Sequence, residues 1–168
     1  MIRNDNQYSL SIIIPTMNEI NSLKKTLKII EKIKVQKEYL IIYSNQFTPL
    51  NIQKEIFKLK KKYKHLNYFP QKKPFVGGAI DLGIKKSKKK YLAIMAADLE
   101  TSPYELKNMV KFSKKNPDSI ISADRWISKK GFSEYGVIKF FANFFFQKLI
   151  KIFFKYEILD FTFAYRIY

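Results

Sequence analysis

Two acidic side chains, Asp98 and Glu100, stand one residue apart just after a short apolar run, Tyr91–Met95. An apolar run of this length reads as a buried strand. Ser102, Pro103 and Glu105 follow. A serine three residues before a glutamate, with proline at the first helical position, marks a helix start. A strand therefore delivers carboxylates to its carboxyl end, the edge at which open α/β sheets bind ligands. In an extended segment, alternate side chains point the same way, so Asp98 and Glu100 are expected to share a cation. Mg²⁺ takes oxygen ligands and commonly completes its shell with substrate phosphates.

Composition narrows the alternatives. There are no cysteines, which excludes disulfides and thiolate metal sites. The one histidine, His65, lies in a polar run and reads as a surface residue, so a serine–histidine triad is not expected. The formal net charge of +18 favours anionic partners. Many of the lysines fall in runs such as Lys60–Lys62 and Lys85–Lys90, where helix ends and turns keep them solvated. No zinc-finger spacing or aromatic-interleaved RNA motif accompanies them, so no nucleic acid partner is expected. Met1–Tyr8 is polar and does not read as a signal peptide. No uninterrupted apolar stretch reaches the ~18 residues of a membrane span.

The elements that must position the acids alternate. Leu10–Ile14, Tyr39–Tyr43, Leu66–Phe69, Tyr91–Met95 and Ser119–Ser122 read as strands. Between them, Ile20, Leu23, Leu27 and Ile30 recur at helical spacing, as do Ile52, Ile56, Leu59 and Tyr63. Gly77–Ser87 reads as a helix entered through a glycine pair, and Leu106, Met109 and Val110 anchor another that stops near Asn116 and Pro117. This alternation predicts a parallel α/β sheet with right-handed crossovers. One domain over residues 1–168 is expected from the length. The range 136–156 is a long helix candidate. Phe141, Phe145, Leu149 and Ile152 share one face, with Asn143, Gln147, Lys148, Lys151 and Lys155 across from them. Such a helix packs on a sheet, which is the commoner fate, or lies in a membrane interface with its lysines toward headgroups.

Four stretches in order resemble family 2 glycosyltransferases. They are SLSIIIPTMNE at Ser9–Glu19, GGAIDLGIKKSKKKYLAIMAADLETSP at Gly77–Pro103, SADRW at Ser122–Trp126 and DFTFAYRIY at Asp160–Tyr168. The last two resemble the branch that transfers sugars to polyprenyl phosphates, such as the dolichol-phosphate mannosyltransferases. The resemblance implies the GT-A nucleotide-diphospho-sugar transferase fold: a mostly parallel sheet flanked by helices, here with a carboxyl-terminal amphipathic helix. It implies a UDP- or GDP-sugar donor bound by Pro15, Thr16, Asn18, Glu19, Ser44, Gly77 and Asp98. It implies Mg²⁺ or Mn²⁺ at Asp98, assisted by Glu100. Arg125 and Arg166 are suited to phosphate oxygens because a guanidinium binds them in a fork; a structural ion pair with Asp160 is the alternative for Arg166. With Asp98, the two arginines are the expected catalytic groups.

The implied reaction is inverting, metal-assisted sugar transfer to a dolichyl or undecaprenyl phosphate. Arg125, Lys148, Lys151, Lys155 and Arg166 would face the lipid phosphate at the cytoplasmic side of a membrane, with peripheral association. Two other readings remain: a saccharide acceptor in cell-surface polysaccharide synthesis, and a degenerate, non-catalytic domain. The sequence departs from the family in specific ways. Ala96 stands where the family has an aspartate, Ser44 and Asn45 stand where its second strand ends in two aspartates, and Phe163 and Ala164 alter the arginine motif. Family members usually continue after the arginine motif, so the chain is expected to be a short form or part of a longer protein.

Overall fold

The computed structural model describes residues 8–124, 136–153 and 160–168. Its first nine elements are β1 (Ser9–Thr16), α1 (Ile20–Ile30), β2 (Gln36–Ser44), α2 (Leu50–Lys62), β3 (Leu66–Gln71), α3 (Phe75–Lys86), β4 (Tyr91–Ile94), α4 (Glu105–Lys115) and β5 (Ile121–Ser122). α5 (Val137–Phe153) and β6 (Arg166–Ile167) complete the order. The sheet runs β3-β2-β1-β4-β6-β5. β1, β2, β3 and β4 are mutually parallel, and β6 lies antiparallel between β4 and β5. The expected mostly parallel sheet is therefore present. The two-residue β6, not anticipated as a strand, extends it.

Both faces of β1 are covered, which is why the run from Leu10 to Ile14, Ser11 apart, is apolar without alternation. Leu10, Ile12 and Ile14 join Tyr39, Ile41 and Tyr43 in the larger core, under Leu23 and Leu27 of α1, Ile56 of α2 and Leu106 of α4. Ile13, Leu40, Ile42 and Ile94 point the other way and meet Ala79 of α3. Burying a leucine or isoleucine side chain fully contributes about 1.5–3 kcal/mol, and Leu23, Leu27 and Ile30 of α1 are all fully buried. That stripe alone fixes α1 on the sheet. On the other face the approach is closer. A Cβ at Gly83 would lie 2.6 Å from Ile13 Cγ2, so only glycine lets α3 sit at this distance.

The amino end of the sheet is closed by a buried carboxylate. Ser11 and Glu38 are opposite each other on β1 and β2. Ser11 Oγ donates to Glu38 Oε1 at 2.6 Å, and the Lys88 amide donates to the same oxygen at 2.7 Å. The Lys89 amide donates to Ser11 Oγ at 3.1 Å. The turn from α3 into β4 is thus tied to the first two strands, and β4 enters the sheet in register.

Candidate active site at the carboxyl edge

β1 lies between β2, reached through α1, and β4, which pairs with its other side. Chain connections leave β1 and β4 in opposite directions across the sheet, which opens a crevice at their carboxyl ends. Two loops line that crevice: 17–19 after β1 and 95–104 after β4.

The first loop is wound around its own acid. Glu19 Oε2 accepts from the Met17 amide at 2.8 Å and from the Asn18 amide at 2.9 Å. Thr16, buried at the end of β1, donates to the Ile14 carbonyl at 3.2 Å. Pro15 ends the apolar run half-buried, and Asn18 is exposed. Glu19 therefore organises the loop with one oxygen. Its other oxygen makes no hydrogen bond among the described residues.

The second loop departs from the expected extended geometry. β4 stops at Ile94, and Leu99 has φ 73°. A left-handed residue between Asp98 and Glu100 breaks the two-residue period that would aim both carboxylates the same way. Instead Asp98 Oδ1 accepts from the Glu100 amide at 3.0 Å and caps the turn. Both acids are exposed. The sequence signal that was missed is Thr101. It is buried, accepts from the Ala96 amide at 3.0 Å and donates to the Ala96 carbonyl at 3.2 Å, clamping the loop at its waist. Its polar neighbours on both sides hid a buried threonine in plain sequence. The expected helix start also shifts: α4 begins at Glu105, and Ser102 makes no side-chain cap. The Ser102 carbonyl is used instead, accepting from the Tyr165 hydroxyl at 3.1 Å. Burial pushes the Tyr165 phenol above its usual range, with the Glu105 charge adding to it.

Arg166 reaches the same edge because β6 pairs it with Ile94. Its guanidinium donates to the carbonyls of Asp160 (3.1 Å) and Phe161 (2.9 Å) and to Ser122 Oγ (3.3 Å). The bond to Asp160 is thus to its backbone, not its carboxylate. The buried Asp160 carboxylate accepts from Gln147 Nε2 at 2.9 Å, from Thr162 Oγ1 at 3.0 Å and from the Phe163 amide at 3.1 Å.

That network inverts the expected seating of α5. Asn143 and Gln147 are buried, while Phe145 and Ile152 keep 62% and 74% of their surface exposed, and Phe141 and Leu149 are also exposed. The apolar face does not pack on the sheet. The polar face docks on the Asp160–Thr162 segment, where Gln147 bonds the buried Asp160 carboxylate, the Thr162 hydroxyl and the Phe161 amide, and Asn143 Oδ1 accepts from Thr162 Oγ1. Lys148 and Lys151 are exposed beside the open face, and Lys148 Nζ lies 4.8 Å from the Phe144 ring centroid.

Ser44 ends β2, and its Oγ accepts from the Phe47 amide at 3.2 Å. Gly77 lies in the first turn of α3 with open space where a Cβ would point. The β1–β4 pairing thus brings the loop of Pro15, Thr16, Asn18 and Glu19 and the turn of Asp98 and Glu100 to neighbouring places on one edge, with Arg166 one strand beyond β4 and Ser44 and Gly77 on the other side toward β3. Arg125 and Lys155 lie outside the described residues, as does Trp126. No group of three or more acidic or histidine side chains able to hold a metal occurs among the described residues. No described helix is long and apolar enough to cross a membrane.

The description "Glycosyl transferase family 2" fits residues 11–168, nearly the whole chain. The chain belongs to glycosyl transferase family 2. A relative from Rickettsia bellii (strain RML369-C), described as an uncharacterized glycosyltransferase, is 33% identical over 109 residues, 64% of this chain and 15% of its own length. Among solved structures, the mannosyltransferase PcManGT from Pyrobaculum calidifontis, in complex with GDP-Man and Mn²⁺, superposes with a TM-score of 0.53 at 17% identity. It matches 62% of this chain and 32% of its own. S. aureus TarS 1-349 gives 0.52 at 16% identity, over 67% of this chain and 34% of its own. At these identities the structural likeness shows the fold, which is that of the GT-A glycosyltransferases. The family 2 chain spans about a third or less of the length of each of these relatives.

Proposed function

We propose that the chain carries the donor-binding part of an inverting glycosyltransferase that moves a sugar from a nucleotide-sugar to a polyprenyl phosphate. The observation that carries the reading is the pairing of β1 with β4. It sets the Thr16–Glu19 turn and the Asp98 turn on the two sides of one crevice in a family 2 chain.

The donor residues would be Pro15, Thr16, Asn18 and Glu19 on one wall, Asp98 on the other, and Ser44 and Gly77 toward β3. The residues suit Mg²⁺ or Mn²⁺ only in the mode that uses one or two carboxylates with substrate phosphates. Asp98, whose Oδ2 makes no described hydrogen bond, would hold it. Such a cation, when bound, neutralises charge on the departing diphosphate.

The remaining work falls to the chain's own groups. The Thr101 clamp and the Asp98 turn fix the carboxylate before the donor arrives, so little ordering remains for the bound state. Arg166 stands one strand from the crevice, with its guanidinium partly committed to carbonyls. In the transfer, an acceptor phosphate oxygen forms the bond to the anomeric carbon as the bond to the diphosphate oxygen breaks on the opposite side. A phosphate is already ionised near neutral pH, so positioning matters more than a general base. This accords with a described crevice in which no histidine stands. The open apolar face of α5, flanked by Lys148 and Lys151, would rest on the cytoplasmic face of a membrane and bring the crevice to a lipid-borne acceptor.

The test is turnover of UDP- and GDP-sugars with Mg²⁺ or Mn²⁺, against a panel of polyprenyl phosphate and oligosaccharide acceptors. Transfer to the lipid phosphate that disappears in Asp98→Ala is the expected result. Transfer to oligosaccharide alone would move the acceptor to a saccharide. Calorimetry that detects no nucleotide binding, with or without metal, would make the chain a non-catalytic member of its family.

A further inference from the structure

The turn between β3 and α3 exposes apolar surface in an unusual way. Phe75, the first residue of α3, has φ 61°. A bulky residue in the left-handed region is strained, and glycine is the residue that occupies it freely. Yet the Phe75 ring is not held by packing: it is 83% exposed, and Val76 beside it is 64% exposed. No packing of the ring inside the fold therefore accounts for the strain.

The turn is nevertheless firmly built. Gln71 Nε2 donates to the carbonyls of Lys73 (3.0 Å) and Phe75 (3.2 Å). A Cβ at Gly78 would come within 2.4 Å of the Lys73 carbonyl oxygen, so the turn folds tightly against α3. Lys73 is tied to Asp81 at 2.7 Å, while Lys72 is exposed and carries no described ion pair. The result is a braced turn that presents two apolar side chains beside the exposed Lys72.

Its place in the sheet gives it a use. β3 is one end of the six-stranded order, and β6 and β5 are the other. With strands about 4.8 Å apart, the two ends stand roughly 24 Å from each other along the carboxyl edge. β6 runs antiparallel to β4, so the Asp160–Thr162 segment that leads into it, and α5 bound to that segment, belong to the same edge. Exposed apolar surface flanked by lysines thus stands at both ends of the edge, with the β1–β4 crevice between them. The range 137–153 holds no acidic residue, and neither does the range 72–80.

We infer that the Phe75–Val76 turn is a second anchor for an anionic lipid surface, inserting its two side chains while Lys72 meets headgroup phosphates. The inference rests on the proposed membrane association of α5. It adds an orientation: two contacts on either side of the crevice make the carboxyl edge face the lipid, which a single helix would not do.

Phe75→Gly is the informative substitution, because it removes the ring and relieves the backbone. Sedimentation with mixed phosphatidylcholine–phosphatidylglycerol vesicles, without nucleotide, measures lipid binding separately from donor binding. Phe75→Gly is expected to weaken binding roughly tenfold, in keeping with the loss of one buried aromatic side chain, while its melting temperature stays level or rises. Phe75→Trp should retain binding, and its fluorescence should shift to the blue on these vesicles and far less on pure phosphatidylcholine. Phe75→Gly binding as tightly as the parent, with α5 substitutions still releasing it, would overturn the second anchor and leave α5 docking intact. No vesicle binding by the parent would overturn both. Loss of nucleotide affinity in Phe75→Gly with vesicle binding unchanged would assign the ring to the donor and end the proposal.

Discussion

The two edges of the sheet use the same interaction for opposite ends. At the amino edge, the buried Glu38 carboxylate accepts from Ser11, 27 positions away, and from the Lys88 amide, 50 positions away. At the carboxyl edge, Glu19 and Asp98 also accept backbone N–H groups, but from residues one or two positions away, in exposed turns. A long-range, desolvated bond ties three elements together. A local, solvated one merely shapes a turn and leaves an oxygen for a ligand. The charge follows the same division. The last turns of α1, α2, α3 and α4 carry Lys28, Lys60–Lys62, Lys85–Lys86 and Lys114–Lys115, which complement the helix carbonyl ends at the amino edge. Met17, Phe47, Leu50, Phe75 and Val76 are exposed at the other edge. Fold-keeping and ligand-facing chemistry are thus segregated along the strand axis.

The sharpest way to break this division is a crossed pair of substitutions. Asp98→Ala should abolish sugar transfer while leaving the melting temperature within a degree or two, because its carboxylate is exposed and bonds only one local amide. Glu38→Ala should do the reverse. It leaves the buried Ser11 O–H without its acceptor and the Lys88 amide with only a 3.3 Å bond to Ser11 Oγ, at a cost of about 3 kcal/mol, or roughly 6–12 °C for a chain of this size. Donor affinity of the protein that remains folded should be unchanged. Calorimetry on both variants checks it, and a Glu38 variant that melts normally but binds no nucleotide would erase the distinction.

Gln147→Leu probes the carboxyl edge where it resembles the amino one. Gln147 Oε1 accepts from the Phe161 amide, and its Nε2 serves Asn143, Asp160 and Thr162. Losing these bonds should cost about 2 kcal/mol and release α5 from the Asp160–Thr162 segment, seen as faster amide exchange at Phe161. Thr101→Val is the smaller version. It keeps the shape but unpairs the Ala96 amide and carbonyl, for about 1–2 kcal/mol, and should slacken the Asp98 turn enough to raise the donor KM more than it lowers stability.

How much of this could be read from the chain follows from the range of the interactions. The strands and the helices packed on them were legible because burial writes a period into the sequence: Leu23, Leu27 and Ile30 recur at helical spacing, and Leu10–Ile14 has no polar interruption apart from Ser11. Ser11 and Glu38 were not legible as partners, since nothing local links a serine in one strand to a glutamate in the next. The seating of α5 misled for a related reason. Its wheel separates phenylalanines from Asn143 and Gln147 correctly, but the wheel is silent on which face the rest of the chain wants. Asp160 and Thr162 decided that, and their demand for partners outweighed the apolar stripe. At the candidate site, the strand and the acids were legible, whereas the left-handed Leu99 that separates Asp98 from Glu100 was not. Leucine gives no warning of a positive φ.

Between the edges lies the smallest expected effect. Glu55 of α2 bonds Lys24 of α1 at 2.8 Å and Lys58 at 2.6 Å. The Lys24 hydrogen bond foremost, then that of Lys58, holds its carboxyl at about 2, against an ordinary 4.5. A carboxylate whose pKa falls on folding stabilises the folded state fully above its unfolded value, and that contribution is lost as the pH drops from about 4.5 toward 2. The pair is solvated, so the loss should be slight next to that of Glu38→Ala. Glu55→Gln should flatten the melting temperature against pH only in that acid window. The same flattening should appear in the parent protein at high salt, since the Debye length falls to about 3 Å at 1 M. A slope that survives both treatments would belong to other carboxylates. Asp81, held low by Lys73 and then Lys85 on the α3 side of the sheet, would be the next to replace.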